Sequence, residues 1–394
     1  MTGARSVTEQ DHRQAVADIT SWLIGPARRQ CSPEEITLGL VERLGEAGVP
    51  LLRLRIGQRV ANPMISGWGV IWTREKGAEH YTVQRSVLAT PSYRGSPFEH
   101  INTTRTSYRR RLENLDADRD HMVLLEQAEA GGTDYLVLPI EYGDGSVQGG
   151  SFTTDRPGGF SKRDLDVIEG LAPAIAAAFE PAAMRHSMAS LLEVYLGSGP
   201  ADRVAKGAFR RGETTEIDAA VLVTDLRNFT GLSERLAPAD LLDRLGAYFE
   251  VVVDAVRAEG GDVLKFIGDG VLSVFAVEGG DRRDACLRAA RSIERAFAKP
   301  DLGDLPFVAA LHAGPLVYGN IGSLDRLDFT VVGPTVNHVS RLEGIAKLLG
   351  RRAVCSADVA TELPAEMVEE LGMHALKGFA EEKRVFGLRT VEGS

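Results

Sequence analysis

The sequence predicts an α+β protein of two domains joined by a helical connector. Three observations carry this. A chain of 394 residues has room for two or three domains of ordinary size. Strand-like and helix-like stretches alternate in both halves, and in the second half they run β-α-β-β-α-β, the ferredoxin-like pattern. Between the halves lies a helical stretch broken by Gly197-Ser198-Gly199-Pro200. The domains are expected at 1–180 and 216–394, with a linker at 181–215.

In the first half, Glu34 to Ala47 reads as a helix capped by Ser32. Strands are expected at Leu51–Ile56, Trp68–Trp72, Tyr81–Val87, Tyr135–Ile140 and Val147–Thr153. Gly143-Asp144-Gly145 marks a hairpin between the last two. Residues 161–180 then read as a helix, with Ser161 as cap and Asp164 completing a capping box. Ala183–Leu196 forms a second helix and Ala201–Phe209 a short third one.

The second half opens on Ile217–Thr224, a β-favouring run that ends at Asp225. Pro238 to Arg257 has helical spacing and stops at Gly260-Gly261. Asp262–Phe266 and Val271–Phe275 read as a hairpin through Ile267-Gly268-Asp269-Gly270. A helix over Asp284–Phe297 follows, then strands at Phe307–His312, Leu316–Ile321 and Leu327–Val332. Pro334 starts the next helix, where its missing N–H costs little.

Composition narrows the class. At 44% hydrophobic and 25% charged, the chain is neither disordered throughout nor a coiled-coil rod. Cys31, Cys286 and Cys355 are too few and too far apart for a disulfide scaffold, and fit a reducing compartment. No apolar run approaches the roughly 20 residues of a membrane span, and the N-terminal MTGARSVTEQDHRQ lacks a signal-peptide core. A cytoplasmic protein without a span is expected. With 45 Lys+Arg against 55 Asp+Glu, the net charge of −10 argues against nucleic-acid binding.

Two aspartates stand where chemistry is expected. Asp225 closes a buried-looking strand and Asp269 sits in a hairpin tip. If the two strands are neighbours, their carboxylates converge into a site for a hard cation that also binds substrate phosphates. The strand-to-helix turn after Asp225 points backbone N–H groups at anions. Asn337 and Arg341, four apart on one helix, share a face.

The segment TDYLVLPIEYGDGSVQGGSFTTDRPGGFSKRDLDVIEGLAPAIAAAF resembles the closing hairpin and helix of GAF-like sensor domains. That resemblance implies a small-molecule pocket or a dimerisation module in 1–180. His80, His100 and His121 are isolated there and form no ligand cluster. The motifs TDLRNFTGLSE, KFIGDGVL, LHAGPLVYGNIG and LDFTVVGPTVNHVSRLE, in that order, resemble the class III nucleotide cyclase catalytic domain over about 217–390. This implies conversion of a nucleoside triphosphate to its 3′,5′-cyclic monophosphate and pyrophosphate, by a homodimer with shared sites.

By the same resemblance, Asp225 and Asp269 match the metal ligands for Mg2+ or Mn2+, two ions per site. Lys265 and Thr330 match the purine-contacting positions, and Asn337 and Arg341 the transition-state pair. Phe229, Thr230 and Gly231 match the phosphate-cradling turn, with Lys377 as a further phosphate contact. Lysine donates to adenine N1 and a threonine hydroxyl accepts from N6, so ATP is the expected substrate. The chain departs from the family at Val308, where many relatives carry Arg or Lys; one phosphate contact is expected to be either missing or supplied by Arg227 or Lys377. His312 reads as structural, and His338 as facing away from the catalytic side. The other readings are an inactive cyclase homologue acting as a regulator, a guanylate cyclase, and a two-metal phosphodiesterase or polymerase-like enzyme. The intact set of key positions argues against the first, Lys265 with Thr330 against the second, and the motif order against the third.

Overall fold

The computed structural model describes residues 3–207, 210, 212–299, 305–323 and 325–389. It divides into two compact units, Met1–Leu191 and Leu192–Ser394. The first contains α1 (Gly3–Trp22), α2 (Arg28–Gln30), α3 (Pro33–Glu46), β1 (Arg53–Arg59), β2 (Ile65–Thr73) and β3 (Gly77–Gln84). Then come α4 (Pro97–Thr104), β4 (Tyr108–Arg111), α5 (Met122–Glu129), β5 (Asp134–Glu141), β6 (Val147–Thr154), α6 (Lys162–Gly170) and α7 (Ala172–Leu196). The six strands form one antiparallel sheet in the order β3-β2-β1-β6-β5-β4. One face carries a core in which Leu40, Leu54, Ile56, Phe152, Ile168 and Phe179 are buried together.

Local signals act as their chemistry requires. Ser32 and Glu35 form a reciprocal capping box at α3, and Ser161 and Asp164 form another at α6. The β5–β6 hairpin turns at Gly145, with φ 78°. The expected helix at 161–180 instead breaks at Leu171, and α7 runs on through Pro181. An alanine-rich stretch has enough helix propensity to absorb the one hydrogen bond a proline removes. Lys162–Leu196 is also long and apolar enough by composition to cross a membrane, contrary to the reading of apolar runs. Half of its most apolar window is buried, and the buried residues, Ala174 to Ala183, join the first core.

The second unit contains α8 (Ser198–Ala205), β7 (Thr214–Leu226), α9 (Phe229–Ser233), α10 (Pro238–Ala258), β8 (Asp262–Ile267), β9 (Gly270–Ala276) and α11 (Arg282–Phe297). These are followed by β10 (Phe307–Gly322), β11 (Leu327–Val332), α12 (Pro334–Leu348), β12 (Ala353–Ser356), α13 (Ala357–Ala360), β13 (Val368–His374) and β14 (Lys383–Leu388). The sheet runs β13-β14-β12-β10-β7-β9-β8, with β11 paired to β10. Within it, β10-β7-β9-β8 are antiparallel neighbours, the fourth, first, third and second strands of the ferredoxin-like pattern. The two strands expected at 307–312 and 316–321 are one, because Gly314-Pro315 stays extended opposite β7. Part of the short helix expected at 201–209 lies outside the described residues.

Period-two alternation splits β7 between two cores. Ala220, Leu222 and Leu226 pack under α10 and α11 with Tyr248, Val252, Cys286 and Ile293. Ala219 and Val221 pack under α12 with Val339, Leu342 and Ala346. Asp225 continues the second series, so its carboxylate emerges on the α12 face.

Candidate active site

Register brings the two aspartates together. β9 pairs with β7 up to Val271 opposite Thr224, so the turn before β9 comes alongside Asp225. Gly268 makes that turn, with φ 64°. Gly270 leaves room for the carboxylate: a Cβ there would stand 3.2 Å from Asp225 Oδ1. Burial raises the pKa of Asp269, and the neighbouring charge of Asp225 raises it further. Beneath them the buried Tyr248 hydroxyl shares a 2.7 Å hydrogen bond with Thr224 Oγ1.

α12 adds two groups that sequence reasoning did not single out. Lys347 Nζ donates to Asp225 Oδ2 and lies 2.8 Å from Glu343 Oε1. Burial raises the pKa of Glu343, and Asp225 adds to this while Lys347 opposes it. For Lys347 burial works downward, but its bonds to Asp225 and Glu343 outweigh it and hold the ammonium charged. The i,i+4 spacing of Glu343 and Lys347 was a readable signal; what the sequence hid is that they face Asp225.

Asn337 and Arg341 lie on α12 as expected, both exposed. Neither side chain has a hydrogen-bond or ion-pair partner among the described residues. Asn337 precedes Lys347 by ten positions, or about 15 Å along the helix axis. A chain's own Asn337 is therefore remote from its own Asp225.

Lys265 lies on β8 and reaches across to β11, where its Nζ is 3.2 Å from Asp328 Oδ2. Thr330, two residues along β11, is buried, and its hydroxyl has no hydrogen-bond partner among the described residues. A buried hydroxyl without a partner is costly and points to a missing ligand group. Asp328 was not anticipated, although Lys265 and Thr330 were.

The remaining expected residues are dispersed. Phe229 packs against the core under α10 and α11, Thr230 is exposed, and Gly231 lies against the Asn228 side chain. Lys377 is exposed in a turn, with no ion pair among the described residues. Val308 is fully buried, directly opposite Asp225 in the sheet. Arg227 is committed elsewhere: its Nη2 donates to the Arg351 carbonyl at 2.6 Å. His312 is buried, 2.8 Å from Ser356 Oγ, with its pKa pushed down to about 4 by burial and by His338. The His338 ring lies tilted, its centroid 4.0 Å from that of His312 and 5.0 Å from that of Phe379.

No family model matches the chain. It is 33% identical over 177 residues to adenylate cyclase 2 of Rhizobium meliloti, covering 42% of this chain and 48% of that protein. It is 29% identical over 168 residues to an adenylate cyclase of Anabaena cylindrica, covering 38% and 33%. The chain thus spans half or less of these curated relatives. Among solved structures, a bacterial light-regulated adenylyl cyclase aligns with TM-score 0.47 and 22% identity, over 56% of this chain and 64% of that one. The adenylyl cyclase CyaB from P. aeruginosa aligns with TM-score 0.39 and 24% identity, over 44% and 95%. With these TM-scores below 0.5, the strand order β10-β7-β9-β8 is the firmer ground for the fold. The cyclase resemblance of the four motifs stands; the GAF-like resemblance of the first unit is not confirmed.

Proposed function

We propose, with the relationship to class III nucleotide cyclases as premise, that the second unit converts ATP to 3′,5′-cyclic AMP and pyrophosphate. It does so at sites shared between two copies of the chain. One observation carries the reading: Asp225 and Asp269 converge, while the exposed Asn337–Arg341 pair has no hydrogen-bond or ion-pair partner among the described residues.

The donor set fits Mg2+ or Mn2+. Among the described residues no group of three His, Cys, Asp or Glu is arranged to hold a metal alone. Two carboxylates completed by substrate phosphates are what these hard ions take. Two bound ions would supply a more acidic ribose 3′-OH and charge neutralisation on the departing pyrophosphate. Lys347 occupies Asp225 in the free chain and must yield that carboxylate when a cation arrives.

The other roles belong to the chain itself. Asn337 of one copy orients the ribose held by the other. Arg341 meets charge developing on the transferring phosphate with a fork of donors. Lys265 donates to adenine N1, and the Thr330 hydroxyl, partnerless at present, accepts from N6. Asp328 holds Lys265 in line for that contact. The turn at Phe229, Thr230 and Gly231 offers backbone N–H groups to the phosphates, and Lys377 adds a charge. The first unit, GAF-like in sequence, regulates this activity in response to a small molecule or protein. The protein acts in the cytoplasm.

Incubating the purified chain with Mn2+ and either ATP or GTP, then identifying the product, tests the reading. Cyclic AMP from ATP, in excess over cyclic GMP from GTP, is expected. Nucleotide binding without turnover would favour the regulator reading, and equal use of both triphosphates would remove the adenine assignment.

A further inference from the structure

The first unit contains a cavity of about 410 Å3 over the sheet face opposite its core. Its floor is made by backbone. Gly149, Gly57 and Gly69 are direct cross-strand neighbours on β6, β1 and β2, and Tyr81 on β3 continues the row. Three missing side chains in one row clear the middle of a sheet. That space is filled from the side: a Cβ on Gly57 would stand 2.5 Å from the Tyr81 hydroxyl and one on Gly149 2.5 Å from the Phe98 ring, so both side chains lie over the row.

The walls are cationic and aromatic. Arg53 and Arg55 alternate with core residues Leu54 and Ile56, so both point to the cavity side of β1. The Arg55 guanidinium lies over the Tyr81 ring at 4.3 Å and the Phe98 ring at 4.6 Å. Neither arginine has an ion-pair partner among the described residues. The Tyr81 hydroxyl is buried, with the Arg55 guanidinium beside it. Glu126 supplies one negative charge against these two positive ones. At the rim, Arg85 is bound to the carbonyls of Asn62 and Pro63 and Arg59 is exposed.

We infer that this cavity binds a small aromatic anion, its carboxylate-like group on Arg55 and the Tyr81 hydroxyl and its ring against the aromatic side chains that line the space. Each part of that chemistry has a source. Arg53, Arg55, Arg59 and Arg85 against Glu126 leave the lining net positive, which an anion offsets. A guanidinium held flat on two rings keeps its N–H edge free for a carboxylate. The rings of Trp68, Tyr81 and Phe98 line the space and suit an aromatic body, and the cavity lies within the usual range of about 300–1,000 Å3 for ligand pockets. The inference does not depend on the proposed enzyme activity.

The test is calorimetric titration of the full-length protein with 1-naphthoate and with 1-naphthamide, which has the same rings but no charge. One naphthoate per chain is expected, bound at least about tenfold more tightly than the amide, because a charge-assisted contact replaces a neutral one. Arg55→Gln should bring naphthoate down to the affinity of the amide. Tyr81→Phe, which keeps the ring and the cavity volume, should weaken naphthoate about three- to tenfold by removing one hydrogen bond. Thermal melts establish that each variant is folded, and Tyr81→Phe remains decisive if Arg55→Gln is not. Absence of naphthoate binding, equal binding of acid and amide, or unchanged affinity in the folded variants would each overturn the inference.

Discussion

Replacing Lys347 by methionine removes an ammonium but keeps most of the side chain's length and packing. In the free chain that ammonium bridges Asp225 and Glu343, with Asp269 close by. The Lys347 side chain is 38% exposed, against 22% for Asp225 and 17% for Glu343. Solvent therefore screens the pair, and the attraction itself is worth about 1 kcal/mol. Its loss also leaves two partly buried carboxylates uncompensated, which brings the expected cost to roughly 1–3 kcal/mol. For a unit of this size that is a fall in melting temperature of about 2–12 °C. The assay is thermal unfolding of wild-type protein and Lys347→Met, each in chelator and in millimolar Mg2+. The variant should melt lower in chelator and gain more from Mg2+ than the wild type, since the cation no longer competes with an ammonium. Equal melting in chelator, or equal gains from Mg2+, would refute the competition for Asp225.

Asp225→Ala and Asp269→Ala should each abolish cyclic AMP formation while the protein stays folded; the raised pKa of Asp269 shows that its charge is a burden there, so its removal costs no stability. A collapsed melt would assign them a structural role, and retained turnover would remove them as ligands. Lys265→Glu should cut ATP use and admit GTP, because a carboxylate accepts from guanine N1 and N2; product analysis with each triphosphate checks it. His312 is held neutral, its pKa lowered from 6.5 to about 4. Between those values the unfolded chain binds more protons, so stability falls as pH drops through 6.5 toward 4, by at most about 3 kcal/mol. His312→Gln should flatten that acid-side fall in a series of melts from neutral pH to about 4.5.

The second unit was the more legible half, for physical reasons. Its central strands are near-continuous β-favouring runs buried on both faces, and Pro334, Gly260-Gly261 and Gly268 punctuate the elements around them. Asp225 and Asp269 could be paired from the hairpin alone, because register follows once β9 lies beside β7. Lys347 and Asp328 could not be found that way. Each acts through a contact between distant elements, α12 with β7 and β8 with β11. Arg227 misled for the same reason: a basic residue near the site reads as a phosphate contact until the Arg351 carbonyl claims it. In the first unit the GAF-like resemblance implied a small-molecule pocket or a dimerisation module, but the place and lining of the cavity were invisible in sequence. Gly57, Gly69 and Gly149 look like strand weakeners until cross-strand pairing puts them in one row. Pro181 shows the reverse error, a strong breaker overruled by the alanines around it.

The central claim is a catalytic site built from two copies of the chain, and restoration of activity between inactive variants tests it most directly. Asp225→Ala and Asn337→Ala should each be inactive as homodimers, since every site then lacks one component. In a mixed dimer both defects fall in one site and the other is intact. Co-expression in equal amounts makes about half the dimers mixed, each with one working site of two, so roughly a quarter of wild-type cyclic AMP formation should return. If pull-down shows that the dimers mix while activity stays at the level of the separate variants, the shared site is contradicted.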